Sequence, residues 1–422
     1  MWVVDLQNPD YRLQTTVKML TWLLVTVVWV LMSVFCVIIK SLMTSKTKIF
    51  ITSTQSLIGA IIGVGIFGLP YIFSQAGYPI GLKKKMDVGA VALILVLAYA
   101  EIVLHANGHH RLSGNVEQHL GRFWGSITSI ALFASNWGAM LAYIILGGEF
   151  LHALTAWLFG GSTLLYQFVF FAICAAVLIG GLGFVSRTES IFVFALLALL
   201  VIIIGGSAPY VDVSNLLVIE PALAFAPFGV VFFAFGGIAT VPEMKAILGR
   251  YKKSLKRSII VGFAVITTVY VLFTAAVVSV SGGDTTEEAI LGLGSYIGDW
   301  AVLIGSLIGL FAVFTSFLIL GVQVMDTAIY DHKAKYMTGW AWAITAPFIL
   351  FIAGARDFIG VIGFTGGVFG VVIGLLVISM YKKAKRSAQI AKRGLTIPNW
   401  LLNIMALVLI LGMITTVVSV FQ

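Results

Sequence analysis

Few residues of this chain are equipped for chemistry, and most of those sit in apolar surroundings. Thr315-Ser316 places two adjacent hydroxyls inside an apolar run. Such hydroxyls either bond back to the carbonyl one turn earlier or serve as oxygen ligands for a cation. Glu101, Glu149 and Glu243 put carboxylates in or at the edge of other apolar runs, where an ionisable group marks function by default. Glu243 follows Pro242 and precedes Lys245, which suits a Glu–Lys pair closing an inner gate, a proton carrier, or an ordinary pair at a wet helix end. His105, His109, His110 and His119 crowd one loop. No carboxylate or thiol stands beside them at ligand spacing, so a basic loop is the expectation and no metal site. Paired catalytic carboxylates, a zinc motif, a nucleophile elbow and a nucleotide-binding Walker motif are all missing from the apolar runs. That pattern argues against an enzyme and against a nucleotide-driven pump.

The backbone itself offers more. Gly59-Ala-Ile-Ile-Gly63-Val-Gly65-Ile-Phe-Gly68-Leu-Pro70 is apolar enough to lie in a bilayer, yet carries four glycines and a proline. Both residue types weaken helices. In lipid a broken helix is tolerated only where protein or a water-filled cavity covers the freed groups. An interrupted apolar segment therefore points to a transport site. The same glycines would also suit close helix packing. A second interruption, Phe235-Gly236-Gly237-Ile238, falls in a later run.

The elements that must position these groups are helices. The chain has 422 residues, 60% hydrophobic and 10% charged, which excludes an ordinary soluble protein. Apolar runs of about 20 residues recur along nearly its whole length. They cover 19–39, 49–77, 88–104, 123–159, 164–184, 191–205, 221–248, 259–280, 296–330, 339–353, 358–381 and 397–421. The run 123–159 is too long to stand upright and must tilt or protrude. The net charge of +9 raises the question of nucleic acid, but the bases lie in short loops, as membrane orientation requires. Lys245 through Arg257 and Lys382 through Arg393 fall on one side, with Asp212, Glu220, Asp284, Glu287, Glu288 and Asp299 on the other. This puts residue 48 on the cytoplasmic face. Lys83-Lys84-Lys85 breaks the rule, falling on the outer side between the second and third of these runs counted from residue 19, at a helix N-terminus where the macrodipole disfavours cations. Cys36 and Cys174 both lie in apolar runs and read as buried small hydrophobes.

Counted from residue 48, each interruption opens a set of five helices, and five is odd, so the sets enter the membrane from opposite sides. This is the pattern of an inverted repeat with a midplane site. The first repeat covers about 48–208, the second about 219–382, and a last helix 397–421. Residues 1–45 read as an extra N-terminal helix, or as an extension ahead of a start at Met43, with the transporter domain over 46–422.

"GAIIGVGIFGLPYIFSQAGY" (Gly59 to Tyr78), "YAEIVL" (Tyr99 to Leu104), "FAFGGIATVPEM" around Phe235 and "TSFLILG" (Thr315 to Gly321) resemble amino acid permeases of the amino acid/auxin permease type, in the amino acid–polyamine–organocation superfamily. The resemblance covers Met43 to the end. It implies an all-α integral membrane protein with a LeuT-like 5+5 inverted repeat, alternating access, and an amino acid as substrate. The helix 19–39 and the lysine triplet depart from the pattern.

A zwitterionic amino acid needs amide donors for its carboxylate and carbonyls for its ammonium. An unwound helix supplies both, because four groups at each helix end lack intrahelical partners. The expected substrate contacts are Ile62, Gly63, Val64, Gly65 and Ile66 at the first break and Phe235, Gly236, Gly237 and Ile238 at the second. Phe235, Ile66 and Asn136-Trp137 are candidates for side-chain selectivity. In LeuT-like transporters a threonine–serine pair joins carbonyls of the first core helix in a sodium site. By that resemblance the ligands would be Gly59, Ile62, Ala312, Thr315 and Ser316. Some relatives instead use protons, with a buried lysine in the fifth core helix; 191–205 has none, which favours sodium. Glu101, Glu243 and Lys245 are the residues expected to gate or couple protons.

The expected function is a secondary active, multi-pass permease of the cell membrane, symporting an amino acid with Na+ or H+. No other cofactor is expected, and lipid rather than nucleic acid is the other partner. A nutrient sensor on the same fold is the alternative. Which amino acid moves, which ion is coupled, and the oligomeric state stay open.

Overall fold

The computed structural model describes residues 44–106, 111–180, 189–220, 228–331, 333–386 and 396–420. The run 19–39, His109, His110 and Arg393 lie outside them. Two units divide the chain, residues 1–49 and 50–422, and the architecture below is that of the second. Helix is the only regular structure among the described residues.

The first apolar run forms two helices, α1 (Ser45–Ile61) and α2 (Gly65–Ala76), bent by 55°. The bend falls at Ile62-Gly63-Val64, between two glycines, where helix propensity is weakest. The chain then turns at Gly77, whose φ of +83° suits glycine. A side chain there would also strike Ile219, its Cβ only 2.8 Å from that residue's Cα. Next comes α3 (Tyr78–His105), with a proline in its first turn.

The start of α3 overturns one expectation. The triplet Lys83-Lys84-Lys85 lies in the second turn of this helix rather than at its very start, because the helix begins ten residues before the apolar window. Lys85 is wholly buried.

A short α4 (Leu112–Leu120) leads to α5 (Arg122–Phe159). Its 38 residues span about 57 Å at 1.5 Å per residue, well beyond a bilayer core of about 30 Å. Phe123 and Phe159 at its two ends are exposed, as protrusion requires. Helices α6 (Thr163–Ile179), with the Ser162 hydroxyl at its N-cap, and α7 (Glu189–Ser207) follow.

The second interrupted run gives α8 (Phe228–Ala234) and α9 (Val241–Leu248), parted by Phe235-Gly236-Gly237 and a 3-10 turn over Ile238–Thr240. The remainder comprises α10 (Leu255–Ser281), α11 (Asp299–Asp326), α12 (Tyr336–Ile352), α13 (Phe358–Phe364), α14 (Val371–Arg386) and α15 (Asn399–Val420). Between α13 and α14 the helix loosens into a π turn, Thr365–Gly370. Gly366 of that turn lies on α8, where an added Cβ would come 2.6 Å from the Phe233 nitrogen.

Six helices among the described residues are long and apolar enough to cross a membrane, or seven with the bent pair. One of the six, Phe228–Asp284, holds two of the expected runs, and three shorter apolar helices add to the set. Each of the eleven runs from residue 49 onward thus has its helix. Helix α2 packs on α8, α3 and α10, and α8 packs on α3 as well, while α5 packs along α11. Aromatic contacts tie these layers, as between Phe67 and Phe150 (5.4 Å between rings). Gly309 of α11 lets the Phe150 ring lie directly on its backbone.

Candidate functional site

The two breaks meet. A Cβ on Gly65 would lie 2.8 Å from the Ala234 Cα, and one on Gly237 would lie 2.6 Å from Ile61 Cδ1. Each break therefore seats a glycine against the end of the opposite half-helix, an approach that a larger residue would prevent.

Unwinding leaves backbone groups to be accounted for. At the first break, the Ile62 amide donates to Ile58 and the Gly63 amide to Ile61, while no acceptor among the described residues faces the Val64 and Gly65 amides. At the second, the Phe235 and Gly236 amides are bonded to Val231 and Phe233, and those of Gly237, Ile238 and Ala239 face none. Both sets stand at the N-terminal start of a resumed helix, where free amides and the dipole favour an anionic group. Gly63 is half-buried, and Gly236 and Ala239 are exposed, so a solute can reach both breaks.

The carbonyls on the other side of each break share one partner. Tyr270 of α10, fully buried, directs its hydroxyl at Ile61 O (3.0 Å) and Ala234 O (2.9 Å). A phenol has one proton, so it serves these two carbonyls in turn or as a shared bond. Tyr270 was not among the expected site residues. No spacing signals it, since it lies in a continuous apolar helix 209 residues from Ile61. Tyr143 of α5 was likewise missed. Its hydroxyl and that of Ser316 flank Gly63, 3.2 and 3.9 Å from where a Cβ would sit.

Side chains at the breaks are less available than their backbones. Phe235 is 2% exposed; its ring stacks on Phe263 at 5.9 Å, tilts toward Tyr270 at 5.5 Å, and covers Gly89. Ile62 and Ile66 are buried. In this conformation the contribution of these three is backbone and packing, not a ligand-lining side chain. Trp137 is turned to α12, donating to Trp342 O at 3.0 Å and stacking on Phe133.

The expected ion ligands divide. The Thr315 hydroxyl bonds within its own helix, to Phe311 O at 3.0 Å and Ala312 O at 3.1 Å. Ser316 faces the first break, beside Gly63; Gly59 lies in the last turn of α1 and Ile62 in the break itself. Among the described residues no cluster of His, Cys, Asp or Glu is arranged for a metal ion. His105 and His119 each bond the carbonyl four residues back.

The expected gate residues take different partners from those foreseen. Glu243 is exposed and has no ion pair with Lys245. Lys245 turns instead to the end of α3, donating to Val103 O at 2.6 Å. A cation suits a helix C-terminus for reasons of dipole and orphan carbonyls. Glu101, 1% exposed, pairs with Lys256 at the start of α10 and lies 3.6 Å from His105. Asp326 at the end of α11 pairs with Arg111 at 3.3 Å. The basic end of the molecule is thus laced together across α3, α9, α10 and α11. At the acidic end, the Glu287 carboxyl is held above the usual carboxylate range, first by burial and then by Asp357 and Glu288.

Comparison with known proteins agrees with this architecture. The chain is 25% identical over 391 residues to tyrosine-specific transport system 1 of Haemophilus influenzae, covering 86% of this chain and 94% of that one. It is 23% identical over 408 residues to tyrosine permease of Enterobacter agglomerans, covering 88% and 96%. Against the amino acid transporter AVT3A of Arabidopsis thaliana it is 23% identical over 328 residues, covering 72% and 75%. A family model matches residues 46–419, nearly everything from α1 to α15, and by that match the chain belongs to the tryptophan/tyrosine permease family.

Proposed function

We propose that this protein is a secondary active transporter, not an enzyme, that carries an aromatic amino acid across the cell membrane by alternating access. The observation that carries the reading is the meeting of the two breaks, where no acceptor among the described residues takes the amides of Val64, Gly65, Gly237, Ile238 and Ala239. The substrate carboxylate takes amides of one break, and its ammonium takes carbonyls of the other. Residues 62–66 and 235–238 form this site, with Tyr143 and Tyr270 beside it. The helices from 48 to 208 and from 219 to 382 act as inverted five-helix repeats of a LeuT-like arrangement, with α15 outside them. The basic end is cytoplasmic, as the positive-inside bias requires. Relatives named for tyrosine transport make tyrosine the first substrate to try.

An ion gradient of Na+ or H+ drives the cycle. Ser316 and the Gly59 and Ile62 carbonyls are the oxygens available for Na+, with Thr315 and Ala312 joining only if the Thr315 hydroxyl leaves its own helix. Glu101 and Lys245 act at the cytoplasmic gate by holding α3 to the second repeat.

The test is uptake of radiolabelled amino acids into proteoliposomes holding the full chain, with imposed Na+ or pH gradients. Concentrative uptake of an aromatic amino acid supports the reading. Binding without flux under every gradient would favour a sensor and refute it.

A further inference from the structure

Two charged side chains are fully buried among the described residues, Glu101 and Lys85. Lys85 lies in α3 about two turns past Gly77, with no exposed surface. Its ammonium donates to Thr267 O at 3.0 Å and stands 5.5 Å from the centre of the Tyr270 ring. No carboxylate among the described residues pairs with it.

Its wider surroundings offer no hidden counter-ion. On α3 itself, Asp87 is exposed and Glu101 is committed to Lys256. From α10 only Tyr270 faces it; from α2 the nearest titratable residue in sequence is Tyr71, and α8 carries none. On α9, Lys245 is at the far end of α3, against Val103, and Glu243 is exposed; α14 meets α3 with its tyrosine and lysines at the basic end. Asp212, ahead of the turn Val213–Leu216 that touches α3, is exposed and bonded to Ser214.

A buried ammonium with one carbonyl and one aromatic face is weakly compensated. A lysine held this way can exchange its proton without breaking an ion pair. Its position decides what that exchange does. Thr267 and Tyr270 are one helical turn apart on α10. Lys85 holds that turn by its carbonyl and ring, and the Tyr270 hydroxyl holds Ile61 and Ala234, the last residues before each break.

We propose that Lys85 is a proton-binding site of the transport cycle, coupled through Tyr270 to the two breaks. The Nζ lone pair takes a proton from water on one face of the membrane and returns it to water on the other, with no other bond made or broken. The proposal rests on the permease reading and names H+ as the coupled ion. A substrate carboxylate at the junction favours the protonated lysine, and by reciprocity the protonated lysine favours the carboxylate. Substrate and proton therefore load together. Lys85 acts through Tyr270 and is a positioning residue, not a ligand of the substrate.

The test is calorimetric binding of L-tyrosine to the purified full chain, in buffers of differing ionisation enthalpy, across neutral pH. The variants are Lys85→Met and Lys85→Arg. Arginine keeps the charge but does not titrate, so it rescues a structural role and not a proton-binding one. For the unsubstituted protein, uptake of about one proton per tyrosine is expected, with affinity falling up to about tenfold per pH unit. Both variants should take up none, and their affinities should not vary with pH. Should Lys85→Met fail to fold, Lys85→Arg decides alone. Tyrosine binding without proton uptake, or uptake unchanged in the variants, overturns the proposal and leaves the permease reading standing. Failure of every aromatic amino acid to bind the unsubstituted chain overturns both.

Discussion

Helix α3 carries two fully buried ions, and they are treated in opposite ways. Glu101, near the basic end, meets Lys256 of α10 and lies beside His105. Lys85, sixteen residues earlier and about 24 Å away along the axis, meets α10 too, but through a carbonyl and an aromatic face, with no carboxylate. Burial costs an ion several kcal/mol whatever its sign. Glu101 offsets that cost by pairing, and the pair fastens α3 to α10. Lys85 does not, so its charge is conditional. One helix thus joins a fixed latch to a titratable contact, and both act on α10, the helix whose Tyr270 holds the two breaks.

Breaking the fixed latch should have the largest effect. Lys256→Met takes its lysine from the buried Glu101 carboxylate, a loss of about 3 kcal/mol, read as a lower midpoint in thermal unfolding of the detergent-solubilised protein. Glu101→Met with Lys256→Met should recover much of it. The same experiment on Lys85 sharpens the contrast. Lys85→Met removes an ion that has no counter-ion, and α10 keeps its helical bonds, so the midpoint should hold or rise. A fall as large as that of Lys256→Met would remove the distinction between the two sites.

Tyr270→Phe comes next. It leaves the Ile61 and Ala234 carbonyls without their hydroxyl, at a cost of about 1–3 kcal/mol for buried groups left unpaired. Transport should fall with stability, because the ends at the junction are no longer held. Smallest is the acidic end. Burial, then Asp357 and Glu288, raises the Glu287 carboxyl in the folded state above its unfolded value. Its protonated form is favoured by folding, so that stability is present at acid pH and lost as pH rises through the folded value. Glu287→Gln should flatten this dependence and slightly raise the midpoint on the alkaline side.

Much of the fold was legible because hydropathy is a one-dimensional signal. Eleven apolar runs became helices, and the Gly63–Gly65 and Gly236–Gly237 interruptions became real breaks, since glycine and the lack of a competing packing demand weaken helix at those points. The start of α3 was misplaced for the same reason. Three lysines end an apolar window, and a sequence cannot show that Lys85 turns inward to a carbonyl of α10. Tyr270 and Tyr143 escaped notice because their roles exist only across helices. Glu243 and Lys245 looked like a pair by spacing, yet Lys245 found better acceptors in the unpaired carbonyls closing α3. Thr315 shows the reverse case, an ambiguous hydroxyl that its own helix carbonyls satisfy.

Binding of radiolabelled tyrosine to the purified protein, compared with Gly65→Leu, puts the junction itself to the question. Gly65 has the Ala234 backbone where a side chain would go, so leucine should force the breaks apart and abolish saturable binding while the protein still inserts and purifies intact. Undiminished binding by Gly65→Leu would contradict a substrate site where the two interrupted helices meet.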